Sequence, residues 1–317
     1  MNKLVIGLHH ITALASDAQK NIDFYAGILG LRLVKKTINF DAPDVYHLYY
    51  GNEKGDPGTI MTFFPYPSIP QGRKGKGQLT VTSFSIPENA MNYWIKRLDK
   101  FNIPYKGPQQ RFDELFIYFE DHDGLGLELV ANNKDTRPAF TYGNIPNEFA
   151  VKGFYGMTLS EECYEKTAGL LVGQMDHILI AEKGNRFRYS ASGKPGDFVD
   201  VLCIPDTLKG LAGYGTIHHV AFATTSDKTQ LEARERLLKF GLNVTPVLDR
   251  EYFHSIYFRE PGGVLFEIAT IPPGFTIDEP LEHLGELLKL PPWQEQNRNL
   301  IEKKLIPIQI DIKRYED

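Results

Sequence analysis

Two histidine pairs and one glutamate are the residues of this chain whose types and positions best suit metal chemistry. The pairs are His9–His10 and His218–His219, and Glu267 stands in the strand-like run GVLFEIAT. Two imidazoles and one carboxylate form the facial triad that suits iron(II) and leaves open positions on one side of the ion. The sequence therefore predicts that His10, His219 and Glu267 bind Fe(2+). Because side chains alternate along a strand, we expect His9 and His218 to face the other way.

A fourfold repeat of secondary structure must position these residues. Four short segments rich in β-branched or aromatic residues have the character of strands: GLHHITALA, LTVTSFSI, GFYGMTLS and TIHHVAFAT. A helix-like stretch and three further strand-like runs follow each of them, so each unit has the order β-α-β-β-β. We expect an α+β fold made of four such modules.

A glycine precedes the final strand of every unit and aligns the candidate ligands. These glycines are Gly58, Gly124, Gly196 and Gly263. The positions four residues beyond them hold Thr62, Glu128, Asp200 and Glu267, and the aligned positions on the first strands hold His10, Val81, Tyr155 and His219. A lone buried histidine more often hydrogen-bonds inside a core than binds a metal, but two HH pairs at equivalent points favour a shared site. The second and third units have no such histidine, so we expect their carboxylates to be solvated or hydrogen-bonded.

Breaks in the pattern divide the chain. We expect modules one and two within residues 1–132, a linker at 133–150 and modules three and four within 151–271. The linker contains Pro, Asn and Gly and lacks periodicity. Leucines at helical spacing predict a C-terminal helical extension at 272–317.

Composition excludes several classes of function. The 317 residues are 42% hydrophobic, which is enough to fill real cores. A net charge of −5 with interspersed signs argues against a nucleic-acid surface. Two cysteines fit a reducing compartment, and no apolar run has the length of a membrane span. We expect a cytoplasmic protein that binds neither nucleic acid nor membranes, and a homodimer is left open.

The chain resembles the glyoxalase/bleomycin-resistance superfamily, also called vicinal oxygen chelate proteins, from end to end. The block DREYFHSIYFREPGGVLFEIAT and the continuation PPGF..DEP carry the similarity. Within that superfamily HHITA, DFYAGILGLRLVKKTINFDAP and YHLYYGN are similar to bacterial hydroquinone-type ring-cleaving dioxygenases associated with quinone stress. The resemblance implies modules curled into two mixed β-sheet barrels, with iron ligands at His10, His219 and Glu267. It further implies extradiol-type cleavage of hydroquinone- or catechol-like aromatics, with a small aromatic substrate and O2 as partners.

The same resemblance identifies candidate residues for proton transfer. Extradiol enzymes of the superfamily have a pocket tyrosine ten residues before the glutamate, and Tyr257 stands there. Catechol-cleaving members also carry a histidine where this chain has GNEKGDPG. His254 is the nearest candidate to replace it, because an imidazole titrates near neutrality, although alternation places it opposite Tyr257. Arg250 is a candidate to hold an anionic substrate oxygen, with a surface arginine as the alternative.

Two alternative functions and two ways of pairing the modules have to be weighed. A glyoxalase-like isomerase or lyase would need a carboxylate where Thr62 stands, and a bleomycin-resistance-type binding protein needs a pocket but no metal. If neighbouring modules shared a barrel, His10 would be separated from Glu267. We therefore predict that units one and four form the catalytic barrel and units two and three a metal-free one.

Overall fold

The computed structural model describes residues 3–141 and 143–316, and each of the four repeats folds in the predicted order. Unit one consists of β1 (Leu8–Ala15), α1 (Ala18–Ile22), β2 (Arg32–Asn39), β3 (Ala42–Gly51) and β4 (Ile60–Pro65). Unit two consists of β5 (Gln78–Ile86), α2 (Met91–Lys100), β6 (Tyr105–Arg111), β7 (Glu114–Glu120) and β8 (Gly126–Ala131). Unit three consists of β9 (Gly153–Glu161), α3 (Glu165–Gln174), β10 (Ile178–Lys183), β11 (Arg186–Ser190) and β12 (Phe198–Cys203). Unit four consists of β13 (Thr216–Thr224), α4 (Asp227–Lys239), β14 (Leu248–Asp249), β15 (Phe253–Arg259) and β16 (Leu265–Pro273).

The strands form two curled, mixed sheets of eight strands each. The first has the order β14-β15-β16-β13-β1-β4-β3-β2, and the second has the order β10-β11-β12-β9-β5-β8-β7-β6. Units one and four therefore share one sheet and units two and three share the other, which confirms the predicted pairing of modules. The α+β class is also confirmed.

The glycine before each final strand has a conformational reason. Its backbone φ is +82° at Gly58, +85° at Gly124, +98° at Gly196 and +110° at Gly263. Residues with a Cβ atom rarely adopt a positive φ, so glycine permits the turn that leads into each final strand. The repeated turn fixes where the residue four positions later meets the sheet.

The C-terminal extension packs across unit one. It contains one α-helix, α5 (Arg298–Lys304), and several short 3-10 turns. The buried ammonium of Lys35 on β2 lies 2.6 Å from Asp278 Oδ1 and also pairs with Glu279. Because a buried ammonium is costly without partners, these contacts attach the extension firmly behind β2 and β3.

Candidate metal centre

Three adjacent strands bring the predicted ligands together. In the antiparallel pair β1–β13 His10 lies opposite Ala221, and in the parallel pair β13–β16 Ala221 lies opposite Glu267. The small side chain of Ala221 leaves room for the larger residues on either side to converge above it. His219 joins them from β13, two residues earlier on the same strand.

The three side chains meet at nearly equal distances. His10 Nε2 lies 3.2 Å from His219 Nε2 and 3.3 Å from Glu267 Oε2, and His219 Nε2 lies 3.1 Å from the same oxygen. All three residues are buried. Within the described residues this is the single group of three or more His, Cys, Asp or Glu side chains with atoms close enough to share a metal ion. One first-row ion about 2 Å from each donor atom fits such separations.

The carboxylate of Glu267 is the strongest sign that this cluster fits a cation. Its Oε1 accepts a hydrogen bond from Ser255, whereas Oε2 accepts none from the described residues although it is buried. Burial by itself would raise the pKa of this carboxyl, but the neighbouring imidazoles of His10 and His219 hold it well below the ordinary value. A buried, ionised oxygen without a hydrogen bond beside two imidazole nitrogens is what a metal ligand set presents in the metal-free protein.

The other histidine of each pair does not face away as alternation predicted. His10 Nδ1 lies 2.9 Å from His9 Nδ1, and His219 Nδ1 lies 2.7 Å from His218 Nδ1. The β1–β13 register shifts between Leu8 and His10, and again where β13 passes His218, so His9 and His218 are extra residues in β-bulges. A bulge interrupts the alternation of side chains along a strand and changes the direction in which they point. Burial, followed by the adjacent imidazole, lowers the pKa of His9 and of His218 to about 3, so both rings are neutral hydrogen-bond partners.

A cavity of about 410 Å³ opens beside His10 and His219. Its aromatic lining consists of Phe40, Tyr49, Phe64, Tyr66, Phe253 and Tyr257. On one side Arg250 Nη1 lies 3.3 Å from Asp41 Oδ2, which joins the β2–β3 turn of unit one to unit four. The volume and the lining suit a single aromatic ring held next to the triad.

Tyr257 lies in this cavity, as the sequence predicts. It stands opposite Glu267 in the β15–β16 register, and its ring lies perpendicular to that of His219 at 5.8 Å between centroids. Its hydroxyl accepts a hydrogen bond of 3.2 Å from Arg250 Nε. Burial, and then the charge of Glu267, raise the pKa of Tyr257 above its ordinary value, so it is a neutral phenol at neutral pH.

His254 does not line the cavity. Its Nδ1 lies 2.6 Å from Asp227 Oδ1 at the start of α4, and its side chain is 37% exposed. Its ring contacts Asp227 instead of lining the cavity. The structure thus gives His254 no contact through which it could transfer a proton in this site.

His47 is a cavity residue that the sequence argument missed. It lies on β3, and its Nε2 is 2.8 Å from Thr62 Oγ1 while its Nδ1 is 2.8 Å from the hydroxyl of Tyr49. Burial, and then the neighbouring imidazoles of His10 and His219, lower the pKa of His47 well below the ordinary value. The alternating pattern HLY in YHLYYGN was a signal that His47 and Tyr49 share one face of a strand.

The second sheet has no comparable ligand set among the described residues. Glu128 accepts two hydrogen bonds from Arg111, of 2.8 and 2.7 Å, and Asp200 accepts two from Arg188, of 2.6 and 2.9 Å. Both carboxylates are buried, so the expectation of hydrogen-bonded groups is right and that of solvated groups is wrong. Their charges are already neutralised by guanidinium groups.

Comparison with known proteins places the chain in a family. The model of the Glyoxalase/Bleomycin resistance protein/Dioxygenase superfamily matches residues 7–129 and 156–268. The chain belongs to this superfamily. Within the described part of the chain, no helix is long and apolar enough to cross a membrane.

Several relatives match over nearly their whole length. The protein named ring-cleaving dioxygenase MhqO from Bacillus subtilis strain 168 is 47% identical, with 98% of this chain and 99% of that protein covered. The chlorohydroquinone/hydroquinone 1,2-dioxygenase of Sphingobium indicum is 36% identical, with 92% and 93% covered. A crystal structure of a protein described as a dioxygenase from Bacillus subtilis has a TM-score of 0.94 and 46% identity, with 98% and 99% covered.

Proposed function

We propose that this protein is an Fe(II)-dependent ring-cleaving dioxygenase of the extradiol type that acts on hydroquinone- or catechol-like aromatics. The observation that carries the proposal is the buried triad of His10, His219 and Glu267 beside an aromatic cavity. The names of the full-length relatives support the same reaction class. Removing such diols also removes the precursors of reactive quinones, so we propose a role in detoxification.

His10, His219 and Glu267 would hold the iron. When bound, iron(II) in a facial triad supplies open positions at which an aromatic oxygen and dioxygen can be activated together. The chain itself binds the ring between aromatic side chains and keeps the triad buried from water. Ser255 orients the carboxylate of Glu267, and neutral His9 and His218 meet the ring nitrogens of the ligand histidines that point away from the triad.

Tyr257 and Arg250 are proposed to contact the substrate from the unit-four side. The neutral phenol of Tyr257 has a proton to donate, and the guanidinium of Arg250 stabilises negative charge next to it. Both residues line the cavity. They are therefore placed to hold a substrate oxygen beside the triad.

Oxygen uptake tests this proposal directly. Protein loaded anaerobically with iron(II) should consume O2 when offered hydroquinone, methylhydroquinone or catechol, and His219→Ala should not. Activity with zinc or nickel instead of iron, or no metal binding at all, would favour an isomerase or a binding protein. Thr62 argues against the isomerase, because it gives no carboxylate at the fourth corner of the site.

A further inference from the structure

One strand of the second sheet presents a row of exposed aliphatic side chains. β10 stands at the end of the sheet order, so one of its two sides has no neighbouring strand. Its first three residues, Ile178, Leu179 and Ile180, are 62%, 47% and 39% exposed. Because side chains alternate between the two faces of a strand, the exposure of both Ile178 and Leu179 means that neither face is covered here. Unpaired backbone groups and aliphatic side chains thus lie together along one open edge.

The other three sheet edges in the described part of the chain are protected. β14 has only two residues, and the C-terminal extension covers β2, where Lys289 N donates to Lys36 O at 2.9 Å. β6 contains Pro108, which removes one backbone donor. Short strands, prolines, charges and covering segments are the usual means by which proteins prevent edge-to-edge pairing. β10 has charges only at its last two residues, so its aliphatic start is available to a partner strand.

A second copy of β10 fits this edge through two-fold symmetry. Two antiparallel copies of one strand are related by an axis that passes between a pair of identical residues, and directly opposed side chains lie on the same face. With Leu179 on the axis, Leu179 faces its own counterpart and Ile178 faces Ile180 of the other copy. All three aliphatic residues then have aliphatic partners. An axis at Ile180 would instead place Ile178 opposite Glu182, so the axis at Leu179 is favoured.

Charges beside the strand complement the same register. It places Glu182 of one copy opposite Asp176 of the other, just before β10. Asp176 Oδ1 is already paired with Arg236 Nη1 at 2.9 Å, and the side chain of Arg236 is 35% exposed. A guanidinium has five N–H donors, so Arg236 can pair with both carboxylates. Each end of the paired strands would then hold one guanidinium between two carboxylates.

We propose that β10 is the contact strand of a homodimer in which the second sheets of two copies join edge to edge. A standard interface buries about 800 Å² per partner. Here the contact consists of the six residues of β10 and the exposed Val172 of the neighbouring helix α3. A shift of register against β11 at Ile180 also limits the length over which two strands stay paired. The interface is thus smaller than the standard one, and we expect a dissociation constant of about 1 to 100 μM.

Sedimentation velocity of the full-length protein measures this association. Over about 1 to 200 μM, which spans the expected dissociation constant, wild-type protein should change from monomer to dimer. Leu179→Lys places two ammonium groups against each other on the axis and should weaken the dimer by more than about 10-fold. The matched control is Leu115→Lys, because Leu115 is 43% exposed on β7, toward the other end of the same sheet. It should dimerise as wild-type protein does, and circular dichroism checks the fold of both variants.

Cysteine cross-linking tests the register. Opposed Cα atoms in an antiparallel pair are about 4.5 to 5.5 Å apart, which is within the range of a disulfide. Leu179→Cys should therefore form a covalent dimer when oxidised glutathione is added, because two identical residues meet on the axis. Glu182→Cys should not, because Glu182 faces Asp176 and lies far from its own counterpart. Both variants also carry Cys163→Ser, since Cys163 is exposed.

Wild-type protein that stays monomeric over the whole concentration range would overturn the proposal and leave β10 to a strand of a different protein. A dimer that persists unchanged in Leu179→Lys, or cross-linking of Glu182→Cys as readily as of Leu179→Cys, would also overturn it. If Leu179→Lys failed to fold, the two cysteine variants would decide the question, and absence of cross-linking in Leu179→Cys would reject the interface. The candidate ligands lie on the first sheet, so none of these outcomes depends on the proposed function.

Discussion

The hydroxyl of Ser255 should control both metal affinity and stability, although it does not belong to the triad. It donates to Glu267 Oε1, and both side chains are fully buried. Ser255→Ala leaves one carboxylate oxygen unpaired and free to rotate away from the histidines. A hydrogen bond to a charged group contributes about 1.5 to 3 kcal/mol, and partners of metal ligands typically change metal affinity by about 10- to 100-fold. We expect iron(II) affinity to fall by that factor.

An anaerobic competition titration against a chelator measures this affinity, and thermal unfolding of the metal-free protein measures the stability. The matched control is Ser83→Ala in the second sheet, where Ser83 Oγ donates to Glu128 Oε2 at 2.6 Å and both side chains are also buried. Ser83→Ala should lower the melting temperature but leave iron affinity unchanged. Equal weakening by both substitutions, or an affinity of Ser255→Ala within about threefold of wild type, which is below the expected range, would refute the reasoning.

Three other outcomes are expected. Glu267→Ala should abolish iron retention while circular dichroism shows a folded protein, and full iron occupancy in this variant would reject the assignment. Tyr257→Phe should lower turnover by about 100-fold with unchanged iron content, whereas His254→Ala should remain near wild type in the same oxygen-uptake assay. Burial and the charge of Glu260 raise the pKa of Glu161 to about 8. Between about pH 4.5 and pH 8 the folded protein therefore keeps a proton on Glu161 that the unfolded chain has lost, and the free energy of unfolding decreases as the pH rises through this range. Glu161→Gln should therefore increase the urea midpoint more at pH 8.5 than at pH 5, and an equal gain at both would contradict the shift.

The triad was predictable because it depends on regularities that a sequence displays. The repeat aligned His10 with His219, and alternation along three strands put both histidines and Glu267 on one face. The pairing of units one and four then followed from the requirement for a complete ligand set, and the sheet order confirms it.

The residues around the triad were less predictable because they depend on how strands meet. The bulges that turn His9 and His218 toward His10 and His219 arise from the register between β1 and β13, which no single strand displays. His47 has no histidine at the equivalent place in unit four, so the repeat did not point to it. His254 was chosen by proximity in sequence, but its side chain contacts Asp227 and does not line the cavity.

The order in which the strands occur along the chain also decides when a metal site can exist. The second sheet uses one continuous stretch, from β5 to β12, so it can close while the ribosome is still translating the rest. His10 and His219 are separated by 209 positions, which at 5 to 20 residues per second is about 10 to 40 s of synthesis. Until Glu267 emerges, the nascent chain contains His10 without the candidate ligand Glu267 of unit four. A chain that stops before Glu267 therefore cannot form the cluster of His10, His219 and Glu267.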